Sequence, residues 1–491
     1  MTGTVTRLRP PAPAAKEKYA ITESIAPGSI VYPPPNMPMD VARHLVADLF
    51  TAGEHKTLVY WRGDWWLWKF GHWAPAADEL EVKAELWPYL ETRECEHKSG
   101  MIPWSPTTAR IHNLMEPLAI LTRINPGNDA PMWIGKTKIT TDPTQLVALN
   151  NGLLDLNERK LHRHTPALFN TWSLPFYYDD TATCPTWDAF LNDVFEHDPQ
   201  GRQALQEMAG YILSGRTDLH KAFMLIGPSR AGKGVISRTI QALIGGGNSV
   251  SPSLNSLGSE FGMSALIGKP LAVIEDARAD DDRRSNITTE RLLNIIGGDA
   301  VSINRKNRDY WNGTLPTRFM LVSNETPRLL DTSGAIMNRF ISVKLRKSFA
   351  GKEDPTLGDR IAAELPGIFN WALKGLDRLN ENGRFTIPDS MNEVHDLMRD
   401  MASPMSEFLD EHYVITGKDS DYVLVKEMHA RFKSWREDVG GKPLRQDTFC
   451  QQVDAADPRV QFKNTAVKDK DGREIAKKAR RIFGVKLRKG F

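Results

Sequence analysis

The stretch from Lys221 to Ser237, KAFMLIGPSRAGKGVIS, sets an apolar run directly before a glycine-rich segment. The apolar run predicts a buried strand. Gly227 and Gly232 let the backbone turn tightly, so that successive N–H groups face a polyphosphate, and the helix that follows directs its positive N-terminus at the same anion. Lys233 has the spacing of a lysine that reaches the β- and γ-phosphates. The stretch therefore predicts a nucleotide-binding loop.

The predicted cofactors are ATP and Mg²⁺. The loop residues expected to bind the nucleotide are Gly227, Pro228, Ser229, Arg230, Ala231, Gly232, Lys233, Gly234 and Val235. Gly234 stands where a serine or threonine hydroxyl normally ligates Mg²⁺. Water or another side chain such as Ser229 could take that place. A site that binds nucleotide and hydrolyses it poorly is the alternative.

The length and charge of the chain limit its architecture and its partners. A chain of 491 residues predicts several domains, and a net charge of +2 means that a nucleic-acid surface must come from local clusters. The three cysteines lie far apart, which favours neither a disulfide framework nor a zinc site. No apolar run reaches the roughly 18 residues of a membrane span. We expect a cytoplasmic protein without a membrane partner.

The first part of the chain predicts a tail and a small domain. Residues 1–38 are rich in proline and predict a flexible tail. Residues 39–145 predict an α+β domain, in which two alternating runs around Arg62 indicate a β-hairpin. The tryptophans of this hairpin could stack on nucleic-acid bases, but packing against neighbouring helices is the favoured interpretation.

The middle of the chain predicts a lead-in region over residues 146–215 and an α/β core over residues 216–380. Apolar strands alternate with helices in this core, as a parallel sheet requires. One strand, PLAVIEDA, ends on Glu275 and Asp276, at the edge where such a sheet presents its ligands. Asp276 is the candidate Mg²⁺ ligand, and Glu275 is the candidate that orients or deprotonates the attacking water, although these roles could be exchanged.

Two further residues of the core are candidates for the same chemistry. The strand RFMLVSNETP ends on a polar pair whose Asn324 would lie beside the γ-phosphate. Arg339 follows fifteen residues later, just before another strand, and could reach the nucleotide of a neighbouring subunit. A structural salt bridge is the alternative role for this arginine.

A basic hairpin is predicted between the acidic strand and the strand of Asn324. Two β-prone runs join at a turn that contains Arg305, Lys306 and Arg308. These cations are candidates for contact with DNA phosphates, and Lys306 would enter a central pore.

The end of the chain predicts a linker over residues 381–404 and a winged-helix module over residues 405–491. Three helices are expected before a β-hairpin. From Lys463 to Phe491 there are eleven Lys or Arg residues against three Asp or Glu residues, which favours phosphate contacts. A solvated tail is the alternative.

These motifs, in this order, resemble the superfamily 3 helicases, which are AAA+-related ATPases of viruses, phages and plasmids. The stretch from about Leu146 to Leu379 looks like the phage and plasmid primase-helicase branch, which is related to the poxvirus helicase-primase. The resemblance implies a homohexamer that holds nucleotide between subunits and draws single-stranded DNA through its pore, usually from 3′ to 5′. It also implies a location in the host cytoplasm if a phage encodes the chain.

The leading hypothesis is therefore an ATP-dependent replicative helicase of a phage or mobile element, acting on single-stranded and forked DNA. No primase-like pair of carboxylates precedes Leu146, so a separate primase, polymerase or initiator would be a partner. One alternative is a replication initiator or DNA-binding scaffold with little ATP turnover. A small-molecule kinase is a weaker alternative, which the basic hairpin and the long C-terminal extension disfavour.

Overall fold

The computed structural model of the chain describes residues 31–69, 71–275, 282–306, 308–327, 329, 335–402, 404–438, 443–457, 459–468 and 474–488. These residues form two compact units. The first takes in the described residues up to Thr140 together with His164–Thr171, and the second takes in Thr141–Arg163 and the described residues from Trp172 onward. No helix in these ranges is both long enough and apolar enough to cross a membrane.

The first unit combines three helices with short strands. The helices are Pro38–Asp48, Glu79–Glu91 and Thr108–Thr122. The strands are Val31–Tyr32, Thr51–Ala52, His55–Lys56, Leu58–Trp61, Asp64–Lys69, His72–Pro75, Glu94–His97, Gly100–Pro103, Met132–Trp133 and Leu168–Phe169. The predicted hairpin is confirmed by the pairing of Trp61 with Asp64. Trp61, Trp66 and Trp73 are buried around Phe169, so packing is confirmed for them, although their partner is the strand Leu168–Phe169 and not a neighbouring helix.

The predicted tail is too long at its C-terminal end. Val31–Tyr32 pairs in parallel with Glu94 and Cys95, and Tyr32 is buried. The Tyr32 hydroxyl donates a hydrogen bond of 2.6 Å to the Asp48 carboxylate, whose attraction for the proton adds to burial in raising the pKa of Tyr32. The prolines that follow Tyr32 favoured a tail over a strand. They do not prevent pairing, because Val31 and Tyr32 lie before them and keep their backbone N–H groups.

The second unit contains twelve α-helices among its described residues, and the labels used below follow their order. They are α1 (Pro185–Val194), α2 (Pro199–Leu213), α3 (Lys233–Ile244), α4 (Leu254–Leu257), α5 (Asp282–Gly297), α6 (Ala335–Arg339), α7 (Leu357–Ala362), α8 (Leu365–Asn382), α9 (Ser390–Ala402), α10 (Pro404–His412), α11 (Val425–Asp438) and α12 (Gln446–Ala456).

The strands of the second unit are labelled in the same way. They are β1 (Leu146–Leu149), β2 (Gly152–Asp155), β3 (Leu161–His162), β4 (Ala222–Ile226), β5 (Ser249–Val250), β6 (Leu271–Glu275), β7 (Ala300–Arg305), β8 (Arg308–Thr314), β9 (Arg318–Ser323), β10 (Phe340–Lys344), β11 (Tyr413–Ile415), β12 (Tyr422–Leu424), β13 (Gln461–Lys468), β14 (Glu474–Phe483) and β15 (Val485–Leu487).

A five-stranded sheet forms the centre of this unit, in the order β5-β6-β9-β4-β10. All neighbouring strands are parallel, so the predicted α/β class with a parallel sheet is confirmed. Successive residues of β4 alternate between two buried clusters: Phe223 and Leu225 face one, and Met224 and Ile226 face the other. Burial on both faces explains why the strands are continuous apolar runs. Their carboxyl ends therefore meet at a single edge of the sheet.

The predicted linker is wrong for most of its length. Phe385 is buried in the core on one side of the sheet, and α9 occupies much of the remainder. Val394 and Met398 of α9 are buried in the core on the other side, one helical turn apart. Apolar residues at a spacing of four are the pattern of an amphipathic helix, and the short proline and glycine breaks on either side concealed it.

Candidate active site

The phosphate loop joins β4 to α3, and its backbone has conformations and close contacts that few residue types allow. Gly232 has φ of 89° and lies directly before the first turn of α3. At Gly227, an added Cβ would lie 2.4 Å from the carbonyl oxygen of Leu345, which is far closer than atoms can approach. Both glycines are therefore required by the local geometry. The loop directs the N-terminus of α3 toward the space above the sheet edge, where an anion is favoured.

Lys233 is buried beneath this loop and points back into it. Its Nζ donates hydrogen bonds to the carbonyl oxygens of Gly227 and Pro228, both at 2.7 Å, and to Oδ1 of Asn324 at 2.9 Å. The three ammonium hydrogens thus have three acceptors. Burial lowers the pKa of Lys233, because the charged ammonium is removed from water. Among the described residues, no anion offsets this effect.

Two polar side chains from neighbouring strands meet at the same edge. Asn324 directly follows β9, and Glu275 ends β6, the next strand in the sheet. The hydroxyl of Ser237, one turn into α3 from Lys233, donates a hydrogen bond of 3.4 Å to Glu275 Oε1. The structure therefore brings Lys233, Asn324 and Glu275 to one edge. Asp276 lies outside the described residues.

Gly234 lies on the first turn of α3, beside the exposed side chain of Arg238. An added Cβ there would be 3.0 Å from Nη1 of Arg238, one turn further along the helix. The guanidinium thus occupies the space beside the residue where related loops carry a hydroxyl. Ser229 and Arg230 are exposed in the loop itself, and Arg230 forms an ion pair with Glu353 at 2.9 Å. Among the described residues, no group of three or more His, Cys, Asp or Glu side chains is arranged to hold a metal.

A cavity of about 610 Å³ adjoins the loop on the side of α1. Its apolar lining includes Phe190 of α1, Val235 of α3, Phe349 and Leu357, and its polar lining includes Arg360. Phe190 lies directly over the loop, because its ring is 3.0 Å from the position that a Cβ on Gly232 would take. A cavity of this size and mixed lining fits a ligand the size of a nucleoside.

Sequence reasoning missed the residues of this cavity that lie outside the loop. The segment after β10 is tied to the loop by a hydrogen bond of 2.9 Å from the Phe349 amide to the Arg230 carbonyl oxygen. Lys347 connects this segment to the C-terminal end of α1 through ion pairs with Asp193 in the helix and with Glu196 just after it. These residues come from sequence positions on both sides of the loop and share no local motif, so only the tertiary fold brings them together.

Arg339 lies at the opposite edge of the sheet. In the parallel register of β4 and β10, Ala222 is the partner of Phe340, so the preceding residues Lys221 and Arg339 lie side by side before the strands begin. Burial, with the Arg339 charge as a second cause, lowers the pKa of Lys221. The structure thus does not bring Arg339 to Lys233 within one chain.

The basic hairpin is formed by β7 and β8, as predicted, with Ile303 opposite Trp311 and Arg305 opposite Arg308. Lys306 is exposed at its turn. The structure adds one residue that the sequence analysis did not single out, Tyr310, whose side chain is 60 % exposed on β8. Its position next to a basic turn is the signal that could have identified it, because exposed aromatic rings among cations are typical of single-stranded nucleic-acid contacts.

Two families match parts of the chain. A family described as "Family of unknown function (DUF5906)" matches residues 225–339, and a family described as "D5 N terminal like" matches residues 44–196. Every residue predicted for the nucleotide site and the hairpin lies in the first range, from Gly227 to Arg339. The second range includes α1 and therefore Phe190 of the cavity.

The fold is similar to that of solved structures of the NrS-1 C-terminal region. The apo structure of that region (305-718) is 13% identical, with a TM-score of 0.50, and the alignment covers 91% of this chain and 99% of that chain. The A form apo structure is 12% identical, with a TM-score of 0.47 and the same coverage of 91% and 99%. The first of these supports a shared fold over most of the chain. At 13% identity, this likeness is one of fold alone.

Proposed function

We propose that the chain is an ATP-dependent DNA helicase of phage or mobile-element replication, which works as a homohexamer on single-stranded DNA. The observation that supports this most directly is the meeting of Lys233, Asn324 and Glu275 at one edge of a parallel sheet, beside a nucleoside-sized cavity. Nucleotide-binding α/β proteins hold their ligands at this edge. The proposed core is of the AAA+-like superfamily 3 type.

In this proposal the loop binds the phosphates of the nucleotide and the cavity binds its base. Backbone N–H groups from Gly227 to Val235 bind the phosphates, and Lys233 exchanges its carbonyl partners for phosphate oxygens. The base enters the cavity between Phe190 and Phe349, where apolar and aromatic side chains favour a flat ring. ATP is therefore the proposed ligand, with the adenine on the α1 side of the loop.

Hydrolysis needs a group that activates or orients water. Glu275 is the proposed group, and the Ser237 hydroxyl holds its carboxylate in place. Asn324 orients the γ-phosphate through its amide. A bound Mg²⁺ would neutralise charge on the phosphates, and Asp276 with water at the Gly234 position are its proposed ligands.

The position of Arg339 supports action between subunits. Because it lies at the far edge of its own sheet, it can complete a nucleotide site only on a neighbouring chain. An arginine supplied from a neighbour stabilises charge that develops during phosphoryl transfer. A ring in which each Arg339 faces the next loop follows from this proposal, and six subunits is the number that the resemblance implies.

The exposed basic hairpin is the proposed DNA contact of the ring. Arg305, Lys306 and Arg308 provide phosphate contacts, and Tyr310 adds a surface on which a base can stack. Movement of the hairpins as nucleotide is hydrolysed would carry single-stranded DNA through the pore, with 3′ to 5′ as the proposed direction. The helices and strands from α10 to β15 form the proposed winged-helix module.

Strand displacement on forked DNA tests this function. The full chain is supplied with ATP and Mg²⁺ and with forks that carry a 3′ tail, a 5′ tail or no tail. Displacement of the 3′-tailed fork, with loss of activity in Lys233→Ala, is the expected result. ATP binding and DNA binding without displacement of any fork would contradict the helicase and favour a replication initiator.

A further inference from the structure

The sheet of β12, β14 and β13 in the C-terminal part of the chain has an aromatic outer face. Val423 and Ile482 point into the core of helices α10 to α12, so residues one position away point outward. Tyr422 and Phe483 lie directly opposite each other on this outer face, with ring centroids 5.5 Å apart. The Tyr422 side chain is 45 % exposed. The two rings are tilted by 41° to each other and Phe483 is half-buried, so Tyr422 supplies the exposed aromatic surface of this face.

Two cations accompany the rings on the same face. The guanidinium carbon of Arg481 is 4.3 Å from the Tyr422 ring centroid, and the Lys463 ammonium is 5.2 Å from that of Phe483. Lys463 and Arg481 are also direct cross-strand partners, so like charges face each other. Lys463 forms an ion pair with Asp419 at 2.9 Å, but both side chains are well exposed, so the pair contributes little and an anion can compete for the lysine.

The third helix of this module has the opposite character. In winged-helix proteins this helix commonly enters the major groove of duplex DNA. Helix α12 contains no lysine or arginine, and its exposed residues include Asp447 and Asp454. Such a surface repels phosphates. The aromatic pair and the two cations beside it thus lie on the sheet of the module, whereas helix α12, which would read a duplex, contains no lysine or arginine.

We propose that this outer face, defined by Tyr422, Phe483, Arg481 and Lys463, binds single-stranded DNA. Bases stack on the aromatic pair, and the two cations contact the backbone. A duplex does not fit this chemistry, because its bases are already stacked and hide their flat faces. The choice of DNA over RNA rests on the proposed function in DNA replication, whereas the preference for a single strand rests on the face itself.

The test measures equilibrium binding of the full chain to a fluorescent oligo-dT in the absence of nucleotide. Tyr422→Ala is compared with Tyr422→Phe, which keeps the ring, and with Tyr177→Ala, which removes another exposed tyrosine of the same unit, 65 % exposed. Removal of one stacking ring weakens binding by about ten-fold, whereas Tyr422→Phe and Tyr177→Ala stay within about two-fold of the wild type. In Lys463→Ala, the slope of the logarithm of the binding constant against the logarithm of the salt concentration becomes less steep by about one, because one phosphate contact is lost.

Each series is repeated in a Lys306→Ala background, so that binding by the hairpin is separated from binding by the sheet. Duplex DNA and oligo-U of equal length serve as competitors. Equal binding by Tyr422→Ala and the wild type in both backgrounds would overturn the proposal, as would duplex that competes as well as oligo-dT. Oligo-U that outcompetes oligo-dT would assign the face to RNA. Because no nucleotide is present, these outcomes are independent of whether the chain hydrolyses ATP.

Discussion

The Nζ atom of Lys233 donates a hydrogen bond of 2.9 Å to Oδ1 of Asn324, which links the phosphate loop to the end of strand β9. The two residues are 91 positions apart in sequence. Two loop carbonyl oxygens complete the set of acceptors around the ammonium. In the proposed function, phosphate oxygens replace the two loop carbonyl oxygens, and the bond to Asn324 then links the phosphate-bound ammonium to the end of β9. The pair therefore couples occupancy of the loop to the position of a candidate catalytic amide.

Replacement of Asn324 by alanine is expected to separate binding from hydrolysis. Lys233 keeps its loop acceptors and its access to phosphate, so the Kd for ATP should change by less than about three-fold. Turnover should fall by about 100-fold, because loss of one aligned polar group at a reacting centre costs that much. ATP binding and steady-state hydrolysis are measured on Asn324→Ala and on Asn382→Ala, a matched change at an exposed asparagine at the end of α8. An equal loss of ATP hydrolysis in both variants would contradict a catalytic role for Asn324.

The affinity for nucleotide should fall at alkaline pH. Burial lowers the pKa of Lys233 in the free protein, and bound phosphates favour the charged ammonium. Binding is therefore strongest below the lowered pKa and weakens as the pH rises through it, at a lower pH than for an ordinary lysine. The Kd of a non-hydrolysable ATP analogue, measured from about pH 7 to about pH 10, gives the profile.

Lys233→Arg is the control for this profile, because a guanidinium stays charged throughout the range. Its affinity can be lower than that of the wild type, since a planar fork does not replace an ammonium among three acceptors. Its pH dependence between these limits should nevertheless be flat. A profile that falls equally in both proteins would assign the titration to another group.

Hairpin variants should uncouple hydrolysis from DNA. Lys306 is exposed at the turn between β7 and β8, far along the chain from the loop lysine. In Lys306→Ala, the ratio of ATP hydrolysis with single-stranded DNA to hydrolysis without it should fall toward one, because the phosphate contact that senses the strand is lost. Lys374→Ala, at an exposed lysine of α8, should keep the wild-type ratio. An unchanged ratio in Lys306→Ala would rule out this turn as the DNA sensor.

A buried ion pair holds the helices that support the sheet. The Glu207 side chain is fully buried, and its Oε1 accepts a hydrogen bond of 2.6 Å from Arg378 Nε. Thr386 donates two further bonds, both of 2.7 Å, from its amide and its hydroxyl. Arg378→Met leaves the carboxylate without its cation, which should lower the free energy of unfolding by about 3 kcal/mol. Denaturant unfolding of this variant and of Arg384→Met, at an exposed arginine, checks the difference; a loss below about 1 kcal/mol would contradict it.

Local motifs explain what could be predicted from the sequence. The loop from Gly227 to Gly234 depends on backbone conformations that only certain residues adopt, so its strand, turn and helix are encoded within about fifteen positions. The hairpin around Lys306 is encoded in the same way, by two β-prone runs and one turn. The parallel sheet followed from the alternation of strands and helices, and its polar strand ends could be located without knowledge of the strand order.

The features that were missed depend on contacts between distant segments. Phe190 and Phe349 reach the cavity from opposite sides of the loop in sequence, and neither belongs to a motif. Ser237 looks like an ordinary helix residue until β6 brings Glu275 against it. The strand at Tyr32 was hidden in a proline-rich segment, because its pairing partner lies 63 positions further along the chain. Composition alone could not reveal these contacts.

Steady-state ATP hydrolysis, with Mg²⁺ and with or without single-stranded DNA, tests the central claim most directly. The wild type is compared with Lys233→Ala, which removes the buried ammonium and leaves the loop glycines in place. The account predicts hydrolysis that rises when DNA is added and is lost in the variant. Hydrolysis that persists in Lys233→Ala, or tight ATP binding by the wild type without turnover under either condition, would contradict it.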